Sequence, residues 1–315
     1  MQEPTDNSGG YVNFSWTYLY SNTSIEDLWL KDSLATWVFV RNVLTTVFGS
    51  VAFLGNVLTV IVALAKKEIR KKFSNYQIIN LAIKDAIIGG IMVYLSVIEM
   101  TGLWTKKNSI NLGIIASMLL LTSSSLTIIM IAMERCFAIV APFQHSRYVT
   151  KKRLTIIIVI DWFVTISLAN IFPITNMEID IWVVGQFVML CAPVLTFIIY
   201  LVIILVVRRH DTKIRQSANR SERKKRKQHV EMIKTFTLVA GIFIICYIPY
   251  IIILEISLAT FSLGLFKSLI ILDTFIPLNS AANMFIYWWR IPEFRMAYMR
   301  ALCCHRNMGS ALKGV

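Results

Sequence analysis

Residues 74–99 read SNYQIINLAIKDAIIGGIMVYLSVIE, a long apolar run interrupted near its middle by Asn80, Lys84 and Asp85. Such a run suits one environment. The hydrocarbon core of a bilayer is about 30 Å thick, so a crossing helix needs about 20 mostly apolar residues. Backbone groups in lipid must find their hydrogen bonds within the helix itself. Six more stretches have this character, near residues 36–65, 109–137, 153–173, 181–207, 232–257 and 265–288. The expected fold is an all-α membrane protein, a seven-transmembrane helix bundle. Composition agrees: 56% of residues are hydrophobic and 16% charged, and the mean hydropathy is +0.63, too apolar for the surface of a water-soluble domain. The 315 residues divide into an outer tail over 1–35, a membrane domain over 36–288 and a cytoplasmic segment over 289–315. No room is left for a second soluble domain.

The net charge of +14 lies beside membrane ends, which argues against a nucleic-acid partner. Lys66, Lys67, Arg70, Lys71 and Lys72 follow the first span, Arg147 and Lys151 to Arg153 precede or open the fourth, and Arg223 to Lys227 separate the fifth and sixth. Arg290, Arg295, Arg300 and Arg306 follow the seventh. The other side holds few bases and several acids, among them Glu26, Asp27, Asp32, Glu178 and Asp180. The positive-inside rule therefore places the N-terminus outside and the C-terminus in the cytoplasm. The expected location is the plasma membrane, multi-pass, with the inner basic loops against anionic membrane lipids.

Two sequons, Asn13-Phe14-Ser15 and Asn22-Thr23-Ser24, fall in the outer tail and make Asn13 and Asn22 candidates for glycosylation. Residues 1–30 lack the basic start and apolar core of a cleavable signal, so the first span is expected to direct insertion. No outer loop carries a cysteine, which excludes an extracellular disulfide. Cys303 and Cys304, beside Arg300 and Arg306 near the inner surface, suit palmitoylation.

Polar residues inside the spans are costly and usually functional. Gly55-Asn56 occurs in the first span, Asn80-Leu81-Ala82-Ile83-Lys84-Asp85 in the second, and Glu134-Arg135-Cys136 closes the third, with Pro142-Phe143 beyond. Trp162 lies in the fourth span, Pro193 and Tyr200 in the fifth, Phe243 to Tyr250 with Tyr247 and Pro249 in the sixth, and Leu278 to Tyr287 in the seventh. In order and spacing, over residues 36–304, this set resembles the signature of the rhodopsin-like (class A) G-protein-coupled receptors. Trp288 to Leu302 adds an amphipathic pattern, with Ile291, Phe294 and Tyr298 at i, i+3 and i+7. It matches the short eighth helix of that family, which the cysteine pair would anchor.

The resemblance implies roles. Asp85 would face Asn56, Ser124, Asn279, Ser280 and Asn283, a cluster that looks like the family's sodium and water pocket. No other cofactor is expected. Glu134 would hold Arg135 at rest, and activation would release that Arg to the C-terminal helix of a heterotrimeric G protein. Pro249 removes a helix hydrogen bond and is expected to kink the sixth span, so that its inner half can swing outward. Tyr200, Tyr247, Asn283 and Tyr287 complete the expected switch.

The chain departs from the pattern in several places. Glu-Arg-Cys replaces Asp-Arg-Tyr, Tyr247 replaces a Trp, and Met284 stands where the Asn-Pro-x-x-Tyr motif has its Pro, which removes a kink from the seventh span. Glu231 is half a turn from the family's clamp position, and Tyr200 is one residue short of the usual spacing from Pro193. Ile110 stands where most members have the disulfide cysteine, and the loop over Pro173 to Gly185 is short. These two features loosely resemble the melanocortin, lysophospholipid, cannabinoid and adenosine group. Ser117 replaces the amine receptors' Asp, and Pro277 replaces the opsins' Lys.

A ligand pocket is expected from Leu95, Ser96 and Glu99 on the second span and Ser117, Met118 and Leu121 on the third. Tyr247, Tyr250 and Leu254 on the sixth and Ile270 and Asp273 on the seventh would complete it. It would be largely apolar with two acids near its mouth, suited to an extracellular small-molecule, lipid or short basic peptide ligand with a positive end. A receptor relic that binds without coupling is one alternative. A transporter or channel is another, but no repeat or paired broken helix of the kind those folds use is visible. An enzyme is not expected, because His145, His210, His229 and His305 are cytoplasmic and scattered.

Overall fold

Every long apolar run becomes a helix, because lipid offers the backbone no other partner. The computed structural model describes residues 25–71, 73–102, 107–175, 178–214, 220–260 and 262–302, apart from the side chains of some stretches within them. The long helices are α1 (Ile25–Ala65), α3 (Phe73–Thr101), α4 (Lys107–Val140), α6 (Lys151–Thr175), α7 (Glu178–Ile214) and α8 (Arg220–Ala259), and the pair α9 (Leu263–Leu272) and α10 (Phe275–Arg290) forms the seventh span. Three short helices lie outside them: α2 (Lys67–Arg70), α5 (Pro142–Tyr148) and α11 (Pro292–Leu302). Among the described residues six spans are long and apolar enough to cross a membrane, and α6 supplies the fourth in chain order. This is the seven-helix bundle expected from the sequence, with α1 starting earlier, at Ile25, than the 36–65 run suggested.

Burial is inverted relative to a soluble protein. Leu54 (65%), Phe163 (70%) and Ile245 (67%) are exposed on the bundle's outside, while Asn56, Thr59, Lys84, Asp85 and Asn283 are buried within it. The outside is the lipid face, since apolar side chains there need no protein partner.

Two close approaches set the packing of the first, second and seventh spans. A Cβ on Gly89 would lie 2.7 Å from the Gly49 carbonyl oxygen and 2.8 Å from the Phe53 nitrogen, so α1 and α3 meet backbone to backbone. Gly55 is covered by Met284, whose sulfur would be 2.4 Å from an added Cβ. The residue that replaces the family's Pro is thus a flexible side chain filling the space over a glycine.

The seventh span, placed over 265–288 from the sequence, is interrupted. Asp273 and Thr274 form a turn between α9 and α10, and the cause is Pro277, whose ring excludes the carbonyl four residues back, that of Asp273. Shorter bonds take over there: Ile276 N–H donates to the Asp273 carbonyl at 3.2 Å, and the Thr274 amide and hydroxyl both donate to the Ile271 carbonyl, at 3.1 and 2.6 Å. Pro193 and Pro249 leave α7 and α8 continuous.

Past Arg290, α11 returns under the bundle. Phe294, Ala297 and Tyr298 are buried, with Arg295 and Arg300 on the open side. Tyr298 is joined to Thr59 of α1 by a 2.5 Å hydroxyl–hydroxyl bond, and burial pushes its phenol up to about 12, so it stays protonated.

The Gly49–Gly89 contact yields a direct test. Gly89→Ala is expected to lose about 1–3 kcal/mol through overpacking against backbone, seen as a melting temperature lowered by several degrees and a smaller surface-expressed fraction. Gly90→Ala, whose Cβ would meet only the Phe53 ring at 3.4 Å, is expected to leave both unchanged.

Candidate functional site

Four buried polar clusters lie along the bundle, one towards each membrane face and two between, on different flanks of α3. The outer cluster joins the first, second and seventh spans. Arg41 on α1 pairs with Glu99 on α3, approaches Asp273 at the broken turn at 4.0 Å, and donates to Asn42 Oδ1 at 2.8 Å. Glu99 and Asp273 are therefore not two free acids at a pocket mouth: one guanidinium bridges them, leaving the group with a net charge of −1. Asp273 is the more open, with 29% of its side chain exposed against 13% for Glu99. Tyr250 lies within electrostatic reach of Asp273 and Arg41.

The remaining pocket candidates sit on the expected helices. Leu95 and Leu254 are half-buried, and Ser96, Leu121, Tyr247 and Ile270 are buried. Tyr247 stacks on Phe243 with centroids 4.6 Å apart. The side chains of Ser117 and Met118 lie outside the described residues, as do Asn13, Asn22, Cys303, Cys304 and the Glu231 side chain.

The middle cluster is centred on Asp85. Its two oxygens accept from the Ser280 hydroxyl at 2.8 Å and the Asn283 amide at 2.7 Å. Asn56 donates to the carbonyls of Ala52 and Ser280, at 2.9 and 3.0 Å, and so reaches the pocket through the α10 backbone. Ser124 and Asn279 make no hydrogen bond to Asp85. Four buried oxygens, Asn56 Oδ1, Ser124 Oγ, Asn279 Oδ1 and Asn283 Oδ1, have no hydrogen-bond partner among the described residues. The set combines one carboxylate with unused hard oxygens on neighbouring helices, the ligand type that hard cations take. No group of His, Cys, Asp and Glu suited to a metal ion is present among the described residues, which leaves Asp85 as the only acid in this set.

On the other flank of α3 is an ion pair to which sequence reasoning gave no role. Lys84 Nζ pairs with Asp161 of α6 and donates to Thr127 Oγ1 at 2.7 Å and the Ser123 carbonyl at 3.1 Å. Ser123 Oγ donates to the second Asp161 oxygen at 2.9 Å. Trp162 Nε1 donates to Asn80 Oδ1 at 2.7 Å beside it. A legible signal existed: a Lys and an Asp within two different spans are worth pairing on cost alone.

At the inner end, Glu134 is shared. One carboxylate oxygen pairs with Arg135 and the other meets His145 Nε2 at 2.7 Å. His145, read from sequence as one of four scattered histidines, is carried there by α5, which Pro142 starts. Its ring packs edge-on against Phe137 at 5.8 Å. Arg135 is buried. Tyr200 and Tyr287 are also buried, Tyr200 within electrostatic reach of Arg135 and Glu134, and Tyr287 packs on Phe294 at 6.1 Å. The Tyr287 hydroxyl has no hydrogen-bond partner among the described residues.

Comparison with known proteins agrees with this layout. The family model of the 7 transmembrane receptor (rhodopsin family) matches residues 55–287. The D(1A) dopamine receptor of Didelphis virginiana is 28% identical over 138 residues, 42% of this chain and 31% of that receptor. The lysophosphatidic acid receptor 1-B of Xenopus laevis is 24% identical over 256 residues, 74% of this chain and 67% of that receptor. The alignments to the dopamine receptors span only about a third of those proteins' length. The matched residues include the functional side chains of these clusters except Arg41 and Asn42, and the chain belongs to the rhodopsin family of seven-transmembrane receptors.

Proposed function

We propose that the chain is a plasma-membrane receptor that takes an extracellular ligand at the outer cluster and activates a heterotrimeric G protein by outward movement of the inner half of α8. The observation that carries this reading is the buried Glu134–Arg135 pair beside the cytoplasmic end of α4. A buried charge that needs one partner to stay inside can be exchanged for a second partner, and Arg135 released from Glu134 can meet the C-terminal helix of a G protein. Pro249 supplies the weak point in α8, because it cannot donate to the Ile245 carbonyl.

In this reading the N-terminus is extracellular, with Asn13 and Asn22 glycosylated, and Cys303 and Cys304 are palmitoylated on the cytoplasmic side. Asp85, Asn56, Ser124, Asn279, Ser280 and Asn283 hold a sodium ion, which supplies the positive charge that Asp85 otherwise lacks. The ligand is a small molecule, a lipid or a short peptide that carries a cationic end. Its site on the receptor is Asp273, the open member of the outer cluster, where a ligand ammonium competes with Arg41. Relatives named for dopamine and for lysophosphatidic acid bracket the ligand chemistry without choosing it.

Two outcomes are expected. In cells expressing matched surface levels, G-protein dissociation is present in the wild type and lost in Arg135→Ala, while Glu134→Gln raises the ligand-free signal several-fold by loosening Arg135. Silence of all three across amine, lipid and peptide pools would sink the coupling reading in favour of a receptor that binds without coupling. Separately, Arg41→Met strands two acids and is expected to lower stability by about 2 kcal/mol, the scale of one charged hydrogen bond. Arg41→Met/Glu99→Gln should recover most of that loss in a thermal melt.

A further inference from the structure

The membrane core of this receptor holds a base and an acid on successive residues of α3, Lys84 and Asp85, and the base is paired instead with Asp161 of α6. Lys84 is fully buried, and its three protons are taken by Asp161, Thr127 Oγ1 and the Ser123 carbonyl. The indole of Trp162 lies 5.7 Å from the same ammonium. Asp85 is the next residue of α3, about 100° around the helix, and faces α10. Its partners Ser280 and Asn283 are neutral. An ammonium and a carboxylate on adjacent residues thus face different neighbours, Lys84 towards α4 and α6 and Asp85 towards α10.

We propose that Asp161 is a positioning residue for the Asp85 pocket: by holding the Lys84 ammonium on the α4–α6 flank, it keeps that internal cation from neutralising Asp85 and leaves the pocket open to a monovalent cation. The inference rests on the reading of Asp85 and the unpartnered oxygens of Asn56, Ser124, Asn279 and Asn283 as a cation site. The balance of charge carries it. Counted formally, two carboxylates and one ammonium leave one negative charge over, and the pairing of Lys84 with Asp161 assigns it to Asp85. Without Asp161, the flexible four-carbon stem of Lys84 has Asp85 as the acid beside it, and the two neutralise each other.

The test uses the full chain, purified and melted in NaCl or in N-methylglucamine chloride at equal ionic strength near 0.15 M. The wild type is expected to melt several degrees higher in sodium, and Asp85→Asn should abolish that difference. Asp161→Asn should abolish it too, although residue 161 is not in the pocket, and Lys84→Gln/Asp161→Asn should restore it by removing the competing ammonium. A merely structural Asp161 would lower the melting temperature equally in both salts and preserve the sodium difference, which would overturn the proposal. If Asp161→Asn cannot be purified folded, the double variant decides: folding with the sodium difference supports the proposal, and folding without it refutes it. A wild type indifferent to sodium refutes the cation reading of Asp85 itself, and this inference with it.

Discussion

Helix α3 carries opposite charges on successive residues into the middle of a membrane, and the bundle is arranged so that neither meets lipid. An uncompensated ion there costs several kcal/mol even after relaxation, so the packing of helices around α3 is dictated by charge as much as by shape. Lys84 fixes α4 and α6 on one flank and Asp85 fixes α10 on the other. Helix α6 has few other anchors of this kind. Its exposed Ile157, Ile160, Phe163 and Val164 are content in lipid, and Asp161 with Trp162 supplies the polar attachments that give it one orientation.

The same logic recurs at both ends with a different outcome. In the middle, Lys84 has partners on two helices and Asp85 has two on α10, which leaves both charges little reason to move. The outer cluster instead gives one Arg two acids, and the inner cluster gives one acid two bases. A group with two suitors can be held in either of two arrangements at similar cost, which is the requirement for a switch. The fixed core and the exchangeable ends thus arise from the same desolvation penalty, divided differently.

The spans and the family signature were legible because lipid imposes a length and a composition that no soluble element shares. Pairings were less legible. Sequence placed Asp85 near Ser280 and Asn283 but could not separate them from Ser124 and Asn279, since all lie within a turn or so of the right depth and only helix rotation distinguishes them. The cost of a Lys and an Asp in two spans hinted at the Lys84–Asp161 pair, but its geometry was not readable, because no periodicity reveals the mutual rotation of the two spans. Glu99 and Asp273 were visible as acids, whereas Arg41 between them reads from sequence as an ordinary base near the outer surface. His145 depended on the direction in which a seven-residue helix leaves the membrane.

The departures from the family's seventh span are best understood together. Met284 removes one break and packs over Gly55, while Pro277 imposes another at Asp273–Thr274. The consequence is a single uninterrupted helix of 16 residues, Phe275–Arg290, about 24 Å long. Ser280, Asn283 and Tyr287 all ride on it, whereas Asp273 lies at its outer hinge against Arg41. In a span broken at 284, motion at the outer end could be absorbed before reaching Tyr287. Here no break lies between the turn at Asp273–Thr274 and Arg290, so one continuous helix joins that turn to the Asp85 contacts and to Tyr287. With Met284 in place of the usual proline, the break in the seventh span lies instead at Asp273–Thr274, beside Arg41, and the helix that follows it is intact.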